Sequence, residues 1–76
     1  MEAKSFIPVV GNMILNNFII QDYGYSVGFY PTDGVGRKWW QDKAKHIKQK
    51  RLGSIYFVDR SISRSIIDSI ERELED

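Results

Sequence analysis

The chain contains no cysteine, which excludes a disulfide framework, thiol catalysis and every cysteine-based zinc site. The same absence fits an intracellular protein better than a small secreted one. Histidine is almost as scarce: His46 stands alone, so no histidine pair exists to hold a metal, and it reads as a surface or boundary residue. Long apolar runs are missing as well. No stretch approaches the ~18 residues that a membrane span requires, and the opening MEAKSFIPVVGNM lacks the charged start and extended apolar run of a signal peptide. The expectation from these absences is a soluble, cytoplasmic protein with no metal, cofactor or membrane partner.

What is present suffices for one domain, read over residues 1–76. A chain of this length buries only about 60% of the surface its unfolded form exposes, which leaves no room for a second core. Ten isoleucines and ten aromatic residues can nevertheless fill one core without metal or disulfide. Charge is distributed unevenly. Residues 37–51, RKWWQDKAKHIKQKR, hold seven of the eleven Lys and Arg residues against one acid, a local net charge of +6 in a chain whose total is +1. The last ten residues carry five acids and one Arg, so a basic middle is followed by an acidic end.

From Ser5 to Tyr30 the chain is rich in β-branched and aromatic residues, interrupted by the turn formers Gly11-Asn12, Asn16-Asn17 and Asp22-Tyr23-Gly24. This pattern predicts short antiparallel strands at residues 6–10, 13–21 and 25–30, with Asn16-Asn17 either a hairpin turn or part of one longer strand. In the third, Tyr25, Val27 and Phe29 alternate with Ser26, Gly28 and Tyr30, so one face can be buried while Gly28 admits a close neighbour. Pro31-Thr32-Asp33-Gly34 forces a reversal, because Pro presets φ, Asp bonds its own backbone and Gly accepts left-handed geometry. Beyond it, residues 35–41 can enter another strand or lead into a helix; the helix is the choice, over residues 38–51 or starting only after Asp42, with Lys50 and Arg51 in its last turn and Gly53 ending it. Residues 54–58, SIYFV, then read as a buried strand. A second helix follows, with Ile62, Ile66, Ile70 and Leu74 at steps of four and Asp59 or Ser61 capping its start. The fold class expected is α+β, a small antiparallel sheet of three to four short strands covered by two helices in the order β-β-β-α-β-α.

On the first helix, Trp40, Ala44 and Ile47 form an apolar stripe, while Trp39 sits about 100° round the axis where a ring face can be exposed. Around that edge, Arg37, Lys38, Lys43, Lys45, Lys48, Lys50 and Arg51 can neutralise phosphates, and Trp39 can stack on an unpaired base. The expected function is a small non-enzymatic nucleic-acid-binding accessory protein using this basic helix. Two other uses compete. The same face can dock as a module or inhibitor on an acidic patch of a larger protein, and a lysine-rich helix is equally the ordinary solvated face. Folding of the acidic end onto the basic helix would make the charge signal internal. The stripe Ile62, Ile66, Ile70 and Leu74 can cover the chain's own sheet or pair with its copy in a homodimer. No catalytic group is assigned, since Asp22, Asp33, Asp42 and Asp59 each occupy a turn or cap position, and Gly34-Val35-Gly36-Arg37-Lys38 lacks the Gly-Lys-Ser/Thr ending of a phosphate-binding loop.

Overall fold

The computed structural model describes residues 11–15 and 17–74, and the strand expected at residues 6–10 lies outside them. The described chain is α+β, in the order β1 (Gly11–Leu15), β2 (Phe18–Asp22), β3 (Ser26–Pro31), α1 (Gly34–Lys43), β4 (Gln49–Leu52), β5 (Ile55–Asp59) and α2 (Arg60–Leu74). Its five strands form one antiparallel sheet, arranged β1-β2-β3-β5-β4. The expected three to four strands become five because β4 and β5 are a hairpin, where the sequence had suggested the end of a helix and one strand. Helix α1 carries the chain from β3 to the far edge, and β5 returns between them, antiparallel to both.

Of the two alternatives for residues 13–21, the hairpin is the one formed, with Leu15 opposite Phe18. Its turn is held from outside the hairpin. The Asn17 carbonyl accepts the Thr32 N–H at 3.0 Å, and the Asn17 amide donates to both carboxylate oxygens of Asp33 at 2.9 and 3.2 Å. Asp33 in turn caps α1 by accepting the Gly36 N–H at 2.9 Å, so the helix begins four residues before the expected Lys38. Gly36 is required by proximity rather than by φ. A Cβ there would lie 2.5 Å from the Asn17 carbonyl oxygen, so only glycine lets the first turn of the helix meet the hairpin turn.

The helix expected to reach Arg51 stops at Lys43, and residues 49–52 are strand. Gln49 explains the change. Its side-chain amide donates to the carbonyls of Ile47 at 3.0 Å and of Ala44 at 2.8 Å, the latter also accepting the Ile47 N–H, while its oxygen accepts the Trp40 indole N–H at 2.8 Å. A glutamine inside a continuing helix could not reach those three groups. Gly53 does adopt positive φ, +64°, but in the two-residue turn between β4 and β5 instead of at a helix end.

Alternation along the strands sorts the sheet into two unlike faces. Phe18, Ile20, Val27, Phe29, Tyr56 and Val58 point to the covered face and are buried with Leu15. Both tryptophans join them. Trp40 stacks on Tyr56 at 4.9 Å between ring centres and tilts against Phe29 at 5.0 Å, while Trp39 meets Phe18 edge-on at 6.0 Å. From the other helix, Ile66, Ile67 and Ile70 complete this core, with Ile62 and Leu74 half-buried against it. Of the two uses expected of the isoleucine stripe, packing on the chain's own sheet is the one seen for Ile66 and Ile70, which are buried there. Asp59 begins α2 by accepting the Ser61 N–H at 3.2 Å, as expected of a cap, and Arg60 grips the carboxylate of Asp22. No helix of the described residues is long and apolar enough to cross a membrane.

Candidate nucleic-acid interface

The basic residues of the central segment divide among three surroundings. Lys38 lies 3.3 Å from Asp42 on the outer side of α1, an exposed pair worth about 0.3–0.5 kcal/mol. Lys43 approaches Glu73 at 3.7 Å, and the same carboxylate accepts the Trp39 indole N–H at 2.8 Å. Among the described residues, the acidic end therefore does fold back, through Glu73. Trp39 is only 8% exposed and Trp40 2%, so the expectation that Trp39 offers a ring face for stacking is corrected. Its indole is wedged between the helices because its N–H has a carboxylate partner there, which a solvent-facing ring would not need.

Five cations are left, and four of them gather around the β4–β5 hairpin. Arg51, on the edge strand β4, swings over the Tyr56 ring with its guanidinium carbon 5.4 Å from the centroid and donates to the Gly53 carbonyl at 2.8 Å. On one side of it, Arg37 joins a small cleft with Tyr30, Pro31 and Ser54. On the other, Lys45 and Lys48 flank a shallow depression floored by Trp40, Ile47 and Tyr56. Arg51 and Tyr56 border both hollows. No carboxylate lines either one, and none of the four cations is ion-paired among the described residues. Lys50 is separate: it alternates to the uncovered sheet face, opposite Phe57.

The carboxylates elsewhere are fixed in structural work. Asp33 is held below its usual pKa of 3.8 first by the Gly36 N–H, with help from the Asn17 amide and the nearby Arg37 charge. Asp22 is likewise lowered, first by the Gly24 N–H and then by Arg60. Ionised and engaged, neither is poised to accept or donate a proton near neutral pH. Among the described residues, no three His, Asp or Glu side chains converge as a metal site would require.

No family model, curated protein or solved structure matches the chain. Functional inference therefore rests on its surfaces.

Sequence reasoning located the cations but assumed one helical face for all of them. It missed the sheet face opposite the two helices, left uncovered by the described residues, where Ile14, Ile19, Tyr30, Leu52, Ile55 and Phe57 alternate outward. A signal was available. The SIYFV strand is apolar at successive positions, and a sheet with two helices, both on one side, cannot cover both faces of it.

Proposed function

We propose that this protein is a small non-enzymatic nucleic-acid-binding module that holds phosphates along its β4 edge with Arg37, Lys45, Lys48 and Arg51. The observation that carries the reading is the pair of adjoining hollows lined by these four cations and by no carboxylate. Like charges gathered this closely repel one another, and a polyanion relieves that repulsion while releasing its own condensed counterions. Arg37 and Arg51 present planar forks that suit phosphate oxygens, whereas Lys45 and Lys48 act as point charges. Contacts of this kind fix position on a backbone without reading sequence, so the affinity expected is modest, salt-sensitive and tolerant of sequence.

The test is a titration of labelled single-stranded and duplex oligonucleotides over a salt series, for the wild type beside a Lys45→Glu, Lys48→Glu variant. Binding that weakens steeply with salt, and that the double reversal abolishes at every salt, supports the reading. Absence of binding to either probe at low salt overturns it. In that event, recovery of one stoichiometric acidic protein after nuclease treatment would assign the same four cations to a protein partner.

A further inference from the structure

The sheet face opposite the two helices borders a groove of about 840 Å³ lined by Tyr23, Tyr25, Leu52 and Phe57 together with Lys48 and Lys50, and reaching Ser61 and Ile62 at the start of α2. Two of its lining side chains, Tyr23 and Phe57, close over Gly28. A Cβ at that position would come within 2.9 Å of Ile55, 3.2 Å of Phe57 and 3.3 Å of Tyr23, so the side chains of neighbouring strands close over the glycine and are held in place by it. Tyr23 and Phe57 meet edge to face at 5.4 Å, and the Tyr23 hydroxyl donates to the Gln21 side chain at 3.0 Å, which fixes the pair as a rigid aromatic wall. Tyr25 is different. It stands 93% exposed on the β2–β3 turn, whose shape comes from Gly24 at φ +96° and its N–H bonded to Asp22 at 2.8 Å. Leu52, 69% exposed, faces it from the hairpin side.

An aromatic phenol and a leucine left in water on a chain this small represent unburied apolar surface that a partner can cover. Charge decides which partner. The rim carries Lys48 and Lys50, and its one acid, Asp59, is turned to the Ser61 N–H at the start of α2. Lys48 also borders the cationic hollow on the other side of β4, so groove and phosphate-binding edge form one surface that wraps around the strand. A second copy packed here by two-fold symmetry would bring the same lysines to the same rim, which disfavours it. Paired bases present only their edges, whereas an unpaired base offers a flat face that an exposed ring can stack on.

We propose that this groove takes unpaired bases of a single-stranded nucleic acid, with Tyr25 as the outer stacking ring and Tyr23 and Phe57 as the inner wall. The proposal rests on the reading of the β4 edge as the phosphate track, and adds to it the class of nucleic acid preferred. A strand crossing β4 sets its phosphates against Arg51 and Lys48 and turns its bases onto the open sheet.

The experiment measures fluorescence anisotropy at low salt with three probes: a pyrimidine single strand, its blunt duplex, and a strand of equal length made of abasic sites. Wild type and Tyr25→Ala are compared; the tyrosine is fully outside the core, so the variant folds, which a urea transition checks. The wild type is expected to bind the pyrimidine strand about tenfold tighter than the duplex or the abasic strand, and Tyr25→Ala to lose about that factor on the pyrimidine strand alone. Equal affinity for all three probes, with Tyr25→Ala silent, overturns the proposal while leaving the phosphate edge standing. No binding of any probe overturns both. Sedimentation showing a wild-type dimer that Tyr25→Ala dissociates gives the groove to a second copy and overturns it as well.

Discussion

Replacing Gln49 by methionine tests the fold where it departs furthest from the simplest reading of the sequence. Methionine nearly conserves volume, so the change removes hydrogen bonds with little cavity. Three are lost: the one accepted from Trp40 at 2.8 Å and the two donated to Ala44 and Ile47 at 2.8 and 3.0 Å. The Trp40 indole is 2% exposed, so its N–H is stranded without water, at a cost of about 1–3 kcal/mol. The two carbonyls lie in the α1–β4 connection and can rehydrate in part, adding about 0.5 kcal/mol each. A total of about 2–4 kcal/mol is large against the roughly 4–11 kcal/mol expected for a domain of this size. It corresponds to a fall in Tm of about 10–30 °C. Urea titration followed by tryptophan fluorescence should show a lower midpoint with an unchanged m-value. In a cycle with Trp40→Phe, the double variant should be less destabilised than the sum of the singles by about 1 kcal/mol or more. A midpoint shift equivalent to less than about 0.5 kcal/mol, or strict additivity, would refute Gln49 as the lock that ends α1 and starts β4.

Gly36→Ala places its methyl 2.5 Å from the Asn17 carbonyl and should destabilise by about 1–3 kcal/mol despite the better helix propensity of alanine, whereas Gly34→Ala, with no neighbour nearer than 3.9 Å, should be neutral or slightly stabilising; paired thermal melts decide between them. The pH profile follows from Asp22 and Asp33, whose pKa values in the folded chain are both below 3.8. The unfolded chain then binds more protons in that window, so stability is present in full above the ordinary carboxylate range and is lost as pH falls through the lowered folded values. Asp33→Asn keeps an oxygen for the Gly36 N–H but cannot titrate, so its urea midpoint should fall less steeply on acidification than that of the wild type. Parallel acid profiles would contradict the assignment.

Local rules made much of this fold legible. The α2 stripe, the Asp59 cap, the alternation that buries Val27 and Phe29, and the close approach at Gly28 are all short-range patterns, and each appears as expected. What escaped was decided at longer range. Helix α1 ends because Gln49 reaches back nine residues to Trp40, and the choice left open at Asn16-Asn17, hairpin or longer strand, is made beside Asp33, sixteen residues from Asn17. Charge composition marked the basic segment correctly, but a helix and a hairpin send its cations in three directions. Composition has no means of expressing that Lys50 and Arg51 fall on opposite faces of one strand.

The central claim is that four cations at the β4 edge, and not the whole basic segment, form the working surface. The direct measurement is the salt dependence of single-strand affinity for three proteins: wild type, Arg37→Ala with Arg51→Ala, and Lys38→Ala with Lys43→Ala. Four phosphate contacts give a slope of log K against log salt near about −3. The arginine pair should reduce its magnitude by about 1.4, while the lysine pair, engaged with Asp42 and Glu73, should leave it unchanged. Equal losses from both pairs, or none from either, would contradict the account.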